Sequence, residues 1–323
     1  MKNLTRRMLT FSLVAAPLLA LSQAAPWPSK PIKAVVPFAA GAATDIVARA
    51  VLEQVSKQLG QPIIIENKPG AGGTIGIDQV AHSDPDGYTI LVQSNSYAVI
   101  PSTYKSLNFD LTKDMVGVTA LTSVPMVLVT SPGKGARNLP DFVKMAKAKP
   151  GSLNYASAGT GGATHLGAAR LNMAAGIKGV HVPYKSSAEA LTEVLAGRVD
   201  YYFSPIGLAA QYLKTDKLVA LAVSSKTRSS ALPDVPTSIE AGLPNSDYEV
   251  WIGMFAPAKT PRAIVNRLNE ETVKALRSPE LREKFATLVM DPMPMSPAEF
   301  DAFLKKDIQL NTDLVKAAGI EPN

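Results

Sequence analysis

Few residues in this chain have side-chain chemistry to offer. Its 323 residues include three histidines, His82, His165 and His181, and no cysteine. No two histidines stand at the spacing of a helical metal pair. With no thiol to join them, a metal site has no support, and thiol catalysis and disulfides are excluded on the same ground. Ser157 lies a short way before His165, so a nucleophile and base can be imagined, as in a secreted hydrolase. No acid at a telling spacing would orient that imidazole, and no Gly-x-Ser-x-Gly elbow is present. We read His165 as lining or capping the first turn of a helix. The acid pairs Asp84/Asp86 and Glu270/Glu271 fall in a turn and on a helix face, and read as solvated charges.

The remaining chemistry belongs to the backbone. Ile32-Lys33-Ala34-Val35-Val36 is an apolar run and reads as a buried strand. Ile46 to Leu52 has a helical pattern. Between them Pro37-Phe38-Ala39-Ala40-Gly41-Ala42-Ala43-Thr44-Asp45 is almost all small residues, so side chains cover few of its N–H groups. A loop of this kind ending at a helix N-terminus is a cradle for an anion, because first-turn donors are unpaired and the helix dipole favours negative charge. A plain strand-to-helix turn is equally open on this stretch alone. The pattern returns further on: strand Leu153 to Ala156, loop Ser157-Ala158-Gly159-Thr160-Gly161-Gly162-Ala163-Thr164, and a helix from His165 to Ala174. Two such loops, one in each half, imply two similar lobes with their anion-binding ends facing each other. Asp45 would repel an anion, so its role is to hold the first loop's shape through its own hydrogen bonds. A third glycine-rich stretch, Asn67 to Thr74, has neither the Gly-Lys-Ser/Thr of a P-loop nor the third glycine of a dinucleotide fingerprint, and reads as a surface turn.

Elements that must position these loops alternate along the chain. Strands Ile63 to Glu66 and Tyr88 to Val92 follow the first helix, with a helix from Ile75 to Ala81 and the turn Asp84-Pro85-Asp86-Gly87 between them. The short connections argue a largely parallel sheet. Gln93-Ser94-Asn95-Ser96 closes a strand at the edge where open α/β sheets take ligands; Asn95 either contacts a ligand or caps the next turn. Val118 to Thr130 is extended but broken by Pro125, which marks a crossing between lobes. The second lobe adds a helix from Leu139, strand Val180 to Tyr184, helix Ser187 to Leu195, strand Val199 to Ser204, helix Leu208 to Lys214 and strand Leu218 to Val223. Val250 to Pro257 is the return. Helices from Pro261, Ser278 and Ser296 then pack over the first lobe. Tyr184 and Ser204, at strand ends, join Asn95 as side chains that would choose the ligand.

The composition is that of a soluble globular protein, 46% hydrophobic and 19% charged, and the length suffices for two domains. Lys2, Arg6 and Arg7 supply three of the six net positive charges. The rest of the basic residues are scattered, which argues against nucleic acid. Those three, the apolar run Met8 to Leu21 and the small residues before Ala25 form a secretory signal, with a cut after Ala24. Thr5-Arg6-Arg7-Met8-Leu9 also fits twin-arginine export; ordinary secretion stays open. Pro17 and the short run argue against a membrane anchor.

Several motifs in one order carry a family resemblance: Trp27-Pro28-Ser29-Lys30-Pro31-Ile32, Val36-Pro37-Phe38-x-x-Gly41-x-x-Thr44-Asp45, Glu66-Asn67-Lys68-Pro69-Gly70-Ala71-Gly72-Gly73, Asp84 to Thr89, Asn154 to Gly159, His181-Val182-Pro183-Tyr184-Lys185 and Ala231 to Thr237. From Trp27 onward the chain resembles the Bug-type extracytoplasmic solute-binding proteins of tripartite tricarboxylate transporters. The resemblance implies an α/β type II periplasmic-binding-protein fold: two lobes, each with a central, mostly parallel sheet flanked by helices, joined by a two-strand hinge. It places lobe 1 at 25–124 and 248–323, lobe 2 at 125–247, and the signal at 1–24. It implies a non-enzymatic periplasmic receptor, monomeric and without cofactor or metal, that closes over a small carboxylate. That carboxylate would be held largely by backbone amides of two facing loops, here Phe38, Ala39, Gly41, Ala42, Ala43 and Thr44 against Ser157, Ala158, Gly159 and Thr160, with His165 beside them. Delivery to a membrane transporter is the implied role, and presentation to a membrane sensor kinase is the alternative. The chain departs from the family in Gly41-Ala42 for Gly-Gly, in Ala163 and Arg170 after the second loop, and in Ser204-Pro205 where an Asp is frequent. The last departure disfavours amino acids and favours plain carboxylates, aromatic ones included.

Overall fold

The computed structural model describes residues 27–322; the signal segment 1–24 lies outside them. In chain order the elements are β1 (Ile32–Val36), α1 (Ala43–Leu59), β2 (Ile63–Asn67), α2 (Thr74–Ala81), β3 (Thr89–Ser94), α3 (Ser96–Thr103), β4 (Met115–Ser123), β5 (Met126–Thr130), α4 (Leu139–Ala148), β6 (Leu153–Ser157), α5 (Ala163–Ala175), β7 (Gly179–Pro183), α6 (Ser187–Leu195), β8 (Tyr201–Pro205), α7 (Ile206–Leu213), β9 (Val219–Val223), β10 (Trp251–Pro257), α8 (Arg262–Leu276), α9 (Pro279–Thr287), β11 (Asp291–Pro292) and α10 (Pro297–Ala317). They build two sheets, of order β11-β4-β10-β3-β1-β2 and β7-β6-β8-β5-β9, with helices packed against both.

The local reasons are plain in the sequence. In α1 the residues Val47, Val51, Leu52 and Val55 recur at helical spacing and are all buried. The helix stops at Gly60, whose φ of 69° is the left-handed conformation that ends helices. All seven residues of β10 are buried, because this strand is central and covered on both faces. Above it lies α10, started by a capping box of Ser296 and Glu299. The close approach of α10 is possible because Gly117 and Gly253 lack a Cβ where the Phe300 ring sits.

The expected mostly parallel sheets hold by strand direction, four of six strands in the first sheet and four of five in the second running one way, but each sheet is mixed. β1 pairs parallel with β2 and β3, but β10 runs antiparallel to β3 and β4. Likewise β6 pairs parallel with β7 and β8, while β5 runs antiparallel to β8 and β9. Of the antiparallel members, β5 and β10 are the strands reached by crossing between the sheets, which re-enter from the opposite end, and the short β11 pairs antiparallel with β4 at the sheet edge. The helix α3, directly after the polar cluster at the end of β3, was hidden in the sequence. It contains Pro101 and has no side-chain N-cap, so it lacks the usual start signal.

The chain passes from β4 to β5 through Val124 and Pro125 and returns ahead of Trp251. The two crossings are tied together: the Val124 amide donates to the Val250 carbonyl at 2.7 Å, and Ser123 Oγ donates to the Glu249 carboxylate. Burial pushes the Glu249 carboxyl above its ordinary range. α10 forms a third link. Its first half, with Phe300 and Leu304, belongs to the core over the first sheet, whereas Leu314 and Val315 lie in the core of the second. Between them the buried Asn311 accepts from Tyr248 Oη at 3.0 Å.

Candidate interlobe anion site

Topology fixes where the glycine loops lie. β4 runs in the same direction as β3, because both are antiparallel to β10. The carboxyl ends of β1, β2, β3 and β4 therefore share one edge of the first sheet, the edge from which the chain crosses. In the second sheet β5 starts at the crossing, so the carboxyl ends of its antiparallel partner β8, and of β6 and β7, face back toward it. The loop after β1 and the loop after β6 thus stand on facing edges.

Both loops are built the same way. In the first, the Gly41 amide donates to Asp45 Oδ2 at 2.8 Å. In the second, the Gly161 amide donates to His165 Nδ1 at 3.1 Å. Each glycine has positive φ, 85° and 77°, which other residues adopt only with strain. Each acceptor stands four residues later, at the third position of its helix. The acceptor folds the loop back over the helix start and leaves other amides uncovered. Among the described residues those of Ala43, Thr44 and Asp45 on one side, and of Thr160, Ala163 and Thr164 on the other, make no hydrogen bond. These are the donors an anion would use.

Asp45 plays the shape-holding part expected of it. Its carboxylate is almost wholly buried and also accepts from Arg49 Nε at 2.9 Å and Asn67 Nδ2 at 2.9 Å. Asn67 Nδ2 further donates to the Phe38 carbonyl. Burial works to raise the Asp45 carboxyl, but the hydrogen bonds from Arg49, Gly41 and Asn67 outweigh it and hold the group below its ordinary range. The charge is thus spent on the loop.

His165 holds the second loop as an uncharged group. Burial, with His181 beside it, lowers its pKa to about 4. The rings of His165 and His181 stack with centroids 3.7 Å apart, and Tyr155 stacks on His181 at 5.0 Å. Because Nδ1 accepts from Gly161, the imidazole proton sits on Nε2. Ser157 Oγ pairs with His181 Nε2 at 2.6 Å, not with His165. The imagined Ser157–His165 pair is therefore not formed, since each partner is already engaged in holding the loop.

A cavity of about 1170 Å³ opens between the sheets. Thr160, Gly161, Gly162 and His165 form part of one wall; Gly72, Ser96 and Tyr104 form part of the other. Of the residues singled out in the sequence, Thr160 and His165 line this cavity. Ala158 and Gly159 are half-buried in the same loop, and Tyr184, also half-buried, is linked to Ser157 through its amide. Phe38, Ala39, Gly41, Ala42, Ala43 and Thr44 lie on the facing edge, outside the cavity wall; Ala39, Gly41 and Ala43 are exposed, whereas Thr44 is buried. Asn95, Ser157 and Ser204 are buried behind it. Asn95 neither caps α3 nor reaches the cleft; its amide donates to Tyr248 Oη at 3.4 Å. The Ser204 hydroxyl donates to the Pro205 carbonyl. Two residues were missed. Thr164 Oγ1 accepts from the Ala158 amide at 2.9 Å, and His181 completes the ring stack. The alignment of Gly41-x-x-Thr44-Asp45 with Gly161-x-x-Thr164-His165 would have exposed the first. Among the described residues no group of three His, Cys, Asp or Glu is placed to hold a metal ion.

Residues 47–320 match the family described as the tripartite tricarboxylate transporter family receptor. The chain belongs to that family. It is 32% identical to the protein BugT of Bordetella pertussis over 321 residues, 98% of each chain. Among solved structures, MatC of Rhodopseudomonas palustris with bound malate is 33% identical, with a TM-score of 0.69 over 90% of this chain and 100% of that one. A TctC solute-binding protein from Polaromonas, solved without ligand, is 28% identical with a TM-score of 0.81, over 90% and 99%. The family is one of solute-binding receptors, not of enzymes, and the Bug-type resemblance and the periplasmic-binding-protein fold both hold.

Proposed function

We propose that this chain is an exported periplasmic receptor that captures a small organic acid between the Gly41 and Gly161 loops. Closure about the paired crossings at 123–126 and 248–251 brings the loops together, and the closed form delivers the acid to a tripartite membrane transporter. The closing lobes are 25–124 with 248–323, and 125–247, in a monomer. The observation that carries the reading is the pair of like-built loops on facing sheet edges, each with unpaired first-turn amides. A carboxylate bridging them favours the closed state by its contacts to both lobes. Each charge-assisted hydrogen bond is worth roughly 1.5–3 kcal/mol and a helix terminus about 0.3–1. A handful of these, less the cost of association, gives affinity of micromolar order. The malate-bound relative supports a carboxylate guest. The better superposition on the ligand-free relative, despite lower identity, fits an open cleft.

The experiment is a thermal-shift screen of organic acids, followed by titration calorimetry and small-angle scattering. The expected result is one or more acids that raise the melting temperature and shrink the radius of gyration. If no acid does either, the reading fails. Capture of membrane subunits only with ligand present tests delivery.

A further inference from the structure

A second concave surface lies on the second lobe. A groove of about 420 Å³ runs between α4 and residues 241–243 and shares no residue with the interlobe cavity. Leu139, Pro140, Val143, Ala241, Gly242 and Leu243 make it apolar, and Lys144 and Lys147 complete the lining. Met145, next on the helix, and Ile239, two residues ahead of Ala241, are large apolar side chains left 38% and 40% exposed. Lys149 ends α4, so three lysines fall within six residues, all of them exposed. The Gly151 amide donates to the Lys178 carbonyl at 3.0 Å, which brings a fourth lysine to the end of the helix. None of the four has an ion pair among the described residues. The bases are spread along the whole chain, but residues 137–180 hold six of them against one acid, Asp141. Asp141 sits in the first turn of α4 and is engaged with the Asn138 cap. Glu240, beside the other wall, pairs with Arg228 and accepts from the Thr237 amide. The groove is thus apolar within and cationic around, with its acids already occupied.

We propose that this surface docks the receptor peripherally on an anionic phospholipid bilayer, with the lysines among the headgroups and Met145, Ile239 and the groove against the acyl chains. Charge complementarity selects the partner. A leaflet rich in acidic phospholipid carries a negative surface potential, and the four unpaired lysines are free to meet it. The type of cation selects a bilayer over an acidic protein. Lysine is a point charge on a flexible stem, suited to a fluid layer of phosphates, whereas fixed carboxylates are matched by the arginine fork, and neither cation of the groove is an arginine. Apolar side chains interspersed with lysines are the pattern of segments that lie in a membrane interface, the apolar groups sinking while the lysine stems reach back to the headgroups. Among the described residues no helix is long and apolar enough to cross a membrane, so the contact is peripheral. Lys178 is exposed and also lines the interlobe cavity, so docking turns the opening of the cleft toward the bilayer. The proposal is independent of which solute the loops hold.

The test is co-sedimentation of the mature protein with vesicles of phosphatidylethanolamine and phosphatidylglycerol in equal parts, against vesicles of phosphatidylcholine alone. Each lysine near an anionic leaflet is worth about fivefold in partitioning. Binding to the anionic vesicles should be at least tenfold tighter than to the neutral ones, and should fall in about 0.5 M salt. Lys144→Gln with Lys147→Gln should weaken it at least tenfold. Lys305→Gln with Lys306→Gln, the same loss of charge from exposed positions of α10, should change it less than twofold. Ile239→Ser keeps the charge and should weaken binding about threefold. All five side chains are exposed, so the variants keep the fold, with melting temperature as the check. Equal binding to anionic and neutral vesicles overturns the proposal, as does an equal loss in the α4 and α10 pairs, which would make overall charge the cause. An unchanged Ile239→Ser variant overturns it too, since the patch would then act by charge alone. Binding to polyglutamate but to neither vesicle assigns the surface to an acidic protein and overturns the bilayer.

Discussion

Replacing Asp45 by Asn tests whether the first loop's shape is made by one buried carboxylate. The carboxylate accepts from Gly41, Arg49 and Asn67, each at 2.8–2.9 Å, with Oδ2 shared by Gly41 and Arg49. An amide in its place offers one acceptor and turns two donors toward a neighbour that is itself a donor. Hydrogen bonds to a charged group contribute about 1.5–3 kcal/mol. Gly41 is exposed and water can replace its partner, and Arg49 is half-exposed, so we discount both and expect a net loss of about 2 kcal/mol. That corresponds to roughly 4–8 °C in melting temperature for a unit of this size. The same variant frees the loop, so affinity for the receptor's acid should fall at least tenfold. There is also a pH signature. A carboxyl held below its ordinary pKa of 3.8 stabilises the fold above that value and loses the contribution as pH falls through the folded pKa. The stability difference between wild type and Asp45→Asn should therefore be full at neutral pH and shrink below about pH 4. Differential scanning calorimetry across pH, with titration calorimetry at neutral pH, reads all three. Unchanged melting and unchanged affinity would refute the idea that Asp45 shapes the loop.

Thr164→Val removes the acceptor of the Ala158 amide in the second loop; a loss of about 1 kcal/mol in urea unfolding is expected, with weaker ligand binding, while Thr160→Val leaves stability unchanged because its hydroxyl holds no loop amide. His165 should stay neutral at pH 6, read as an imidazole NMR signal that does not move until near pH 4; a midpoint near 6.5 would show that it is neither buried nor beside His181. Asp307, which accepts from Trp251 Nε1 at 2.8 Å, is raised by burial to about 6. The folded state then holds its proton more tightly than the unfolded chain, so this group makes stability fall as pH rises from about 4 to 6, by an amount of the order of 3 kcal/mol. Asp307→Asn should flatten that part of the stability–pH curve, and an unchanged slope would count against it.

The sequence by itself determined the repeated unit of strand, small-residue loop and helix, because that unit is local. Periodicity reveals the strands and helices, and glycine and alanine reveal uncovered backbone. It also placed the crossing at Pro125 and gave Asp45 to the loop rather than to the ligand, since like charges repel. Only the tertiary structure decided strand direction. β5 and β10 are ordinary apolar runs, and what makes them antiparallel is the end from which the chain enters each sheet. Partners far apart in sequence were equally hidden. His181 reaches Ser157 and stacks on His165 because β7 pairs with β6, and Asn95 is claimed by Tyr248 at the crossing. The extent of the cleft belongs to the same class. Asn172 and Lys178 carry no local signal, and they line the space beside the glycine loop only because α5 and the segment after it run along the gap between the two sheets.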